Sequence, residues 1–204
     1  MLNLIDVYIK YISHQFACPT GFSGRVATQL MNIFNGKMYQ VCSNIISEFS
    51  DQRILDIGFG NGYMLHIIQQ QNNDNDLYGV EISNDALRLA KRRLGIDSQL
   101  FIGTAEKLNF ENCFFNVIYT INTFYFWQNP SSALTEVKRT LAVGGLFINI
   151  CYTKKWLDKL KYTKYEFNKK MNEDIVQLHI EAGFSSVELK VIEQNKSFYI
   201  MCTK

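Results

Sequence analysis

A glycine-rich turn between an apolar strand and an apolar helix constrains the fold of this chain most strongly. The stretch RILDIGFGNGYMLHII spans residues 53–68, and its three glycines fall at every second position. A strand that enters such a turn and continues as a helix brings its backbone close to a ligand at the strand's carboxyl end. The dinucleotide fingerprint G-x-G-x-x-G fails, because its third glycine would fall on Tyr63 or Leu65. A phosphate-cradling G-x-x-x-x-G-K-[ST] pattern is also absent.

Strand and helix patterns alternate along the rest of the chain. The predicted strands are residues 53–58, 77–83, 99–105, 113–122, 146–153, 187–194 and 196–203. Alternation with helices predicts a parallel sheet covered on both faces, and the last two strands are close enough to form a hairpin. The expected fold is therefore α/β, a Rossmann-like three-layer sandwich whose seven-stranded sheet is mainly parallel with one antiparallel strand. The polar tract Gln69 to Asp76 is expected to be a loop.

The first fifty residues precede this alternation and have helical patterns of their own. Apolar residues recur at helical spacing from Ile5 to Phe16 and from Val26 to Phe49, on either side of a break at Pro19. A chain of 204 residues most simply forms one domain. We expect residues 1–50 to form a helical N-terminal lid and residues 51–204 to form the Rossmann-like core of that single domain.

Composition limits the expected partners. The net charge is +2, which gives no global electrostatic reason to bind nucleic acid or an acidic membrane. The five cysteines lack a C-x-x-C pair, which disfavours disulfides and zinc sites. Asp6 and Lys10 interrupt the N-terminal apolar stretch, and no run approaches the roughly 18 apolar residues of a membrane span. We expect a cytoplasmic monomer or homodimer without a metal, a membrane anchor or bound nucleic acid.

Several motifs together resemble the class I S-adenosylmethionine-dependent methyltransferases, in particular the methyltransferase type 11-like domain family. The D-x-G-x-G-x-G loop from Asp56 to Gly62 resembles the first family motif. Glu81, at the end of LYGVEIS, resembles the acidic residue that binds the cofactor ribose. GTAEKLNF (103–110) resembles the third motif, and residues 114–127 and 134–150 resemble the fourth motif, the following helix and the fifth strand. The match covers about residues 40 to 151 closely.

The resemblance implies S-adenosylmethionine as the cofactor. Glu81 would accept both ribose hydroxyls, and the glycines would let the cofactor pass close to the backbone. Asp56 would meet the ammonium of the amino-acid tail, directly or through water. Ile82 and Ala105 would lie against the adenine, and Asn122 would lie near the methionine moiety. The expected cofactor-binding residues are Asp56, Gly58, Gly60, Gly62, Glu81, Ile82, Thr104, Ala105 and Asn122.

Two positions depart from the family pattern. Thr104 stands where the third motif has an aspartate that accepts from the adenine amino group, and Asn116 replaces an aspartate at the start of the fourth strand. A hydroxyl still accepts, but a neutral hydrogen bond is roughly half as strong as a charge-assisted one. Both departures predict weaker cofactor binding with no change of fold.

The methyl acceptor is less constrained by the sequence. Tyr125 and Trp127 follow the fourth strand and are candidates for binding a planar or cationic acceptor, or for packing the sheet edge. His14 and Tyr125 are the candidates for a general base, although methyl transfer from a sulfonium does not always need one. We expect a methyltransferase for a small molecule. An RNA or protein methyltransferase using the Lys-rich segment 154–170, and a non-catalytic cofactor-binding partner protein, remain the alternatives.

Overall fold

A seven-stranded sheet lies at the centre of the computed structural model, which describes residues 4–71, 74–96 and 98–204. Its strands are β1 (Arg53–Ile57), β2 (Asp76–Glu81), β3 (Gln99–Ile102), β4 (Phe115–Ile121), β5 (Leu141–Tyr152), β6 (Ser186–Glu193) and β7 (Ser197–Thr203). The strand order is β3-β2-β1-β4-β5-β7-β6. Strands β1 to β5 pair in parallel, and β7 runs antiparallel to both of its neighbours. The predicted sheet, with its one antiparallel strand, is confirmed.

Helices precede and flank the sheet. They are α1 (Leu4–Ala17), α2 (Gly21–Phe34), α3 (Gly36–Ile46), α4 (Tyr63–Gln71), α5 (Asn84–Leu94), α6 (Pro130–Thr140), α7 (Lys154–Leu157) and α8 (Asn172–Glu181). The predicted loop 69–76 starts later than expected because α4 continues to Gln71, and its residues 72 and 73 lie outside the described residues.

Side-chain caps fix the starts of the two helices that flank the site. Ser83 accepts a hydrogen bond from the Ala86 amide and caps α5. At α6, Asn129 accepts from the Ser132 amide and Pro130 occupies the first helical position.

The N-terminal helices form the expected lid, with one break that the apolar pattern does not show. The second helical pattern divides at Asn35, which ends α2 and precedes α3. The lid is hydrogen-bonded to α5 through Pro19, whose carbonyl accepts from the Ser83 hydroxyl at 2.5 Å. The Gly21 amide donates to the Asp85 carboxylate at 2.7 Å. The outer face of α1 and α2 remains apolar and exposed in this structure.

Apolar side chains bury both faces of the sheet. Alternate residues of β1 point to opposite faces, so that Leu55 packs in one apolar cluster and Ile54 in the other. Adjacent β4 residues divide in the same way, with Ile118 on one face and Tyr119 on the other. Apolar side chains occupy both faces of the sheet. The polar side chains that follow the parallel strands therefore lie at the carboxyl edge of the sheet.

Candidate active site

A cavity of about 330 Å³ lies at the carboxyl ends of β1, β2 and β4, beneath the lid. The loops after these strands and after β3 form its floor, and α1, α2 and the start of α3 contribute its roof. Seven of the expected cofactor-binding residues line it: Gly58, Gly60, Glu81, Ile82, Thr104, Ala105 and Asn122. Asp56 and Gly62, at the two ends of the loop, are buried and are not part of the cavity wall.

The three glycines of the loop have different roles, although all three have positive φ. A Cβ at Gly58 would lie 2.3 Å from Thr123 Cγ2, and one at Gly62 would lie 2.9 Å from Ala90 Cβ on α5. These two glycines therefore allow close packing within the protein. A Cβ at Gly60 would meet nothing within 4 Å and Gly60 lines the cavity, so this position leaves room for a ligand.

Glu81 is held rigidly at the end of β2. One carboxylate oxygen accepts from the Gly60 amide at 3.0 Å, and the other accepts from the amides of Ile82 at 2.9 Å and Ser83 at 3.0 Å. Burial raises its pKa, while these backbone donors act in the opposite direction. The carboxylate lines the cavity and keeps acceptor capacity for further hydroxyl groups.

Asp56 lies under the loop, with a side chain that is almost wholly buried. Burial raises its pKa to about 8, and the nearby Glu81 carboxylate adds to this effect. Because it does not line the cavity, the expected contact with a ligand ammonium would have to pass through an intervening group.

Residues of the second and third loops form the side of the cavity away from the lid. Ile82 is 55% exposed, although it is apolar, and Ala105 is buried beside it in the cavity wall. Thr104 is exposed at the same wall. Asn116 has no part in this site, since it lies at the start of β4 and accepts the Arg53 amide at 3.1 Å. The expectation that Asn116 weakens cofactor binding is thus unsupported by its position.

Asn122 connects the end of β4 to the lid. Its amide nitrogen donates to the Asn35 side-chain oxygen at 2.9 Å, and its own oxygen accepts from the Tyr125 hydroxyl and the Tyr152 amide. The Tyr152 hydroxyl donates in turn to the Asn35 oxygen at 3.1 Å. The network places two side-chain amides at one point between the lid and the sheet.

A second cavity of about 190 Å³ lies on the other side of this network. Five residues line both cavities: Phe16, Met31, Asn35, Asn122 and Phe126. The remaining wall comes from Phe34, Tyr125, Tyr152, Trp156, Leu157, Leu160, Tyr162, Phe167 and Lys196. Two adjoining cavities, one with carboxylates in its wall and one lined mainly by aromatic rings, therefore share a boundary at Asn122.

The candidate catalytic and acceptor residues divide between the chambers. His14 and Trp127 line the first cavity, and His14 is exposed there. Tyr125 lines the second, where its buried hydroxyl is hydrogen-bonded to Asn122 and to the Tyr152 amide. Burial raises the pKa of Tyr125 well above its usual value, so this phenol is a poor base.

Several cavity residues escaped the sequence analysis. Glu106 accepts from the Gln128 and Asn129 amides and joins the third loop to the start of α6. Glu166 lines the first cavity from a left-handed backbone conformation with φ of 55°. Asn61 belongs to the glycine loop and accepts from Arg93, so its position in the motif was the one available signal.

The first cavity fits S-adenosylmethionine in its donors, its acceptors and its apolar surface. Glu81 offers acceptors for ribose, Gly60 leaves backbone accessible, and exposed Ile82 offers an apolar surface for a flat base. Within the described parts of the chain, no group of three or more His, Cys, Asp and Glu side chains could hold a metal ion. No helix among the described residues has both the length and the apolarity needed to cross a membrane.

Comparisons with known proteins agree with this site. A family model described as a methyltransferase domain matches residues 55–149. The uncharacterized methyltransferase YdaC of Bacillus subtilis is 26% identical over 123 residues, which cover 59% of this chain and 67% of YdaC. The 2-methyl-6-phytyl-1,4-hydroquinone methyltransferase 1 of Oryza sativa is 24% identical over 144 residues, covering 69% of this chain and 43% of that protein.

A solved structure has the same fold as this chain. A SAM-dependent methyltransferase of Thermotoga maritima, described as a possible histamine N-methyltransferase, superposes with a TM-score of 0.69 at 21% identity. The superposition covers 94% of this chain and 99% of the Thermotoga chain. The matched domain, the glycine loop and the cavity at the strand ends make this chain similar to S-adenosylmethionine-dependent methyltransferases, and the superposition shows that the fold is the same.

Proposed function

We propose that this protein transfers a methyl group to a small molecule enclosed beneath the N-terminal lid. One observation supports the proposal above the others: the cofactor cavity adjoins a second, mainly apolar cavity inside the protein. Cavities lined mainly by apolar and aromatic side chains, with a few polar groups, are typical sites for small ligands. The name of the rice relative also specifies a small-molecule acceptor.

The cofactor would be held mainly by residues of three strand-end loops. Glu81 accepts the ribose hydroxyls with a carboxylate that Gly60, Ile82 and Ser83 already fix in place. Gly60 presents its bare backbone to the amino-acid tail, and Ile82 covers one face of the adenine. Thr104 offers its hydroxyl to the adenine edge. Asp56 acts from beneath the loop as a buried acid, and Asn122 borders the tail and the acceptor.

S-adenosylmethionine, when bound, supplies a methyl group that the acceptor's lone pair takes as the S–CH₃ electron pair returns to sulfur, leaving S-adenosylhomocysteine. The residues of this chain align the acceptor and exclude water. The lid does both, since α1 and α2 line both cavities. His14 lies on the wall of the first cavity, and its imidazole is the candidate to accept a proton from the acceptor.

The RNA or protein alternative depends on the Lys-rich segment, and three of its seven lysines form ion pairs within the protein. Lys154 and Lys169 contact Asp158, and Lys164 contacts Asp6. Three aromatic residues of the same segment line the second cavity, namely Trp156, Tyr162 and Phe167. The segment is therefore built as a cavity wall, although exposed ion pairs contribute little stability of their own.

The proposal is tested by two measurements on the purified chain. Calorimetry should show micromolar binding of S-adenosylmethionine and S-adenosylhomocysteine. The chain is then incubated with cofactor labelled with tritium in the methyl group and with separate cell fractions of small molecules, RNA and protein. We expect label in the small-molecule fraction. Label in RNA or protein would support that alternative, and cofactor binding without transfer to any fraction would support a non-catalytic partner protein.

A further inference from the structure

The second cavity is aromatic and has no carboxylate in its wall. Eight of its residues carry aromatic rings: Phe16, Phe34, Tyr125, Phe126, Tyr152, Trp156, Tyr162 and Phe167. Some of these rings are already stacked on one another, as Tyr125 and Phe167 are at 5.6 Å and 30°, and Phe16 and Tyr162 at 4.5 Å and 12°. Stacked rings present flat, rigid faces, and such faces match a planar ligand.

The charges around this cavity disfavour a cationic ligand. Lys196 is the charged residue of the wall, and its ammonium lies 5.3 Å from the Trp156 ring centre. The Lys159 ammonium lies 5.7 Å from the same ring. Trp156 therefore already interacts with two cations and is a poor partner for a third. The neighbouring Glu193 is shared by Lys196 and Lys37, so this group of three side chains keeps a net positive charge.

Polar groups are concentrated where the two cavities meet. Asn35 and Asn122 are the side-chain amides that line both, and the Tyr152 hydroxyl is bonded to Asn35. A ligand whose apolar body lies in the second cavity would direct its polar substituent to this junction. That substituent would then face the cofactor cavity across the shared wall.

We propose that the second cavity binds the methyl acceptor, and that this acceptor is a planar, apolar molecule that is uncharged or anionic, in contrast to an amine. The inference rests on the proposed function and adds the chemical class of the acceptor. A hydroxyl or carboxylate oxygen at the junction would form the new bond to the methyl carbon, and a hydroxyl proton would leave to solvent water.

The charge preference is tested with three probes of nearly the same size: benzyl alcohol, benzoate and benzylammonium. Each is titrated into protein saturated with S-adenosylhomocysteine, with fluorescence excited at 295 nm. The chain has two tryptophans, of which Trp156 lines the second cavity and Trp127 the first. We expect benzyl alcohol and benzoate to change the fluorescence and to bind roughly tenfold more tightly than benzylammonium, a difference of about 1.4 kcal/mol. The Trp156→Phe variant should lose this signal.

Two matched variants locate the binding. Leu160→Phe narrows the second cavity, whereas Leu189→Phe makes the same change on β6, outside both cavities. We expect Leu160→Phe to weaken benzyl alcohol about tenfold with an unchanged Kd for S-adenosylhomocysteine, and Leu189→Phe to alter neither. Lys196→Gln should weaken benzoate and leave benzyl alcohol unchanged.

The outcomes separate this inference from the proposed function. Tightest binding by benzylammonium, equal binding of all three probes, or loss of binding that Leu189→Phe shares would overturn the inference. S-adenosylhomocysteine binding without any probe binding would also overturn it while leaving the cofactor site intact. Failure to bind S-adenosylhomocysteine at all would overturn the proposed function itself.

Discussion

The two cavities are built from different parts of the chain and by different means. The floor of the cofactor cavity comes from short loops at residues 57–61, 80–82 and 103–106, each at the end of a parallel strand. The wall of the second cavity comes from side chains scattered between Phe16 and Lys196. Backbone groups and carboxylates of the strand ends contribute to the first, and aromatic rings dominate the second. Under the proposed function, the strand ends would bind the cofactor, and the lid with the segment after β5 would select the acceptor.

The largest expected effect comes from Glu81→Ala in the cofactor cavity. The change removes the acceptor for the ribose hydroxyls and leaves the amides of Gly60, Ile82 and Ser83 without their partner. Hydrogen bonds to a charged group contribute about 1.5–3 kcal/mol each, so we expect S-adenosylhomocysteine affinity to fall by about 100-fold or more. Calorimetry measures this loss.

The control is Glu188→Ala, on the exposed edge strand β6, which should leave the affinity unchanged. Circular dichroism of both variants establishes that they are folded. Unchanged cofactor affinity in folded Glu81→Ala would remove the ribose assignment and, with it, the contrast between the cavities.

A matched pair of glycine substitutions distinguishes a position that leaves room for the cofactor from a position that packs against a helix. In Gly62→Ala the new methyl group would contact Ala90 at 2.9 Å, so we expect a loss of stability of about 1–3 kcal/mol beyond the cost of the positive φ, which Gly60→Ala shares. The added methyl group of Gly60→Ala has open space, so we expect this variant to lose only the stability that its positive φ costs, about 1–2 kcal/mol. Its methyl group should instead reduce cofactor affinity, roughly tenfold if a carbon of the ligand is displaced.

Urea titration and calorimetry on both variants give the comparison. If Gly60→Ala kept full cofactor affinity, the cofactor would not approach this part of the loop. If Gly62→Ala cost no more stability than Gly60→Ala, α5 would have to move to accommodate the added methyl group.

The same difference between the cavities explains what the sequence predicted. A strand ending in glycines and Glu81 at the end of the next strand are local patterns, and parallel strands bring their carboxyl ends together. The sequence of the loop therefore predicted a ligand cavity at the end of β1. It did not distinguish Gly60, which faces the cavity, from Gly62, which packs on α5, because that difference depends on a contact with a distant helix.

The second cavity had no such local pattern. Asn35 interrupts an apolar helical repeat without a proline, and its partners Asn122 and Tyr152 lie more than 80 residues away. Spacing along the chain says nothing about contacts of that range. The Lys-rich segment was ambiguous for a similar reason, since only the fold shows that three of its aromatic rings line a cavity and that three of its lysines form ion pairs.

The buried carboxyl group of Asp56, near the first cavity, makes the stability of the protein depend on pH. No group near the second cavity is expected to do so between pH 6 and 7. The pKa of Asp56 rises from 3.8 to about 8 on folding, so the folded protein binds a proton that the unfolded chain releases. This contribution to stability is complete below pH 3.8 and is lost as the pH rises towards 8. Between pH 6 and 7 we expect the free energy of unfolding to fall by about 1.4 kcal/mol relative to Asp56→Asn.

Urea titrations of both proteins at the two pH values provide the measurement, and the variant serves as its own correction for other titrating groups. A parallel pH dependence in the two proteins would show that Asp56 is ionised in the folded chain. Tyr125 and Cys151, near the second cavity, have pKa values raised by burial and stay neutral in this range. Benzyl alcohol binding should accordingly not change between pH 6 and 7.

The smallest expected effect is a gain at Thr104, where this chain departs from the family pattern. Thr104 is exposed on the cavity wall, so a carboxylate fits there without burial. Thr104→Asp would replace a neutral acceptor for the adenine amino group by a charged one, which is about twice as strong. Repulsion from Glu81 and Glu106, which line the same cavity, opposes part of that gain. We expect roughly threefold tighter S-adenosylhomocysteine binding, since a factor of ten corresponds to about 1.4 kcal/mol.

Thr104→Val keeps the shape of the side chain without an acceptor and should weaken binding. Equal affinities for all three proteins would place the adenine edge elsewhere, and the third loop would then belong only to the scaffold of the cavity.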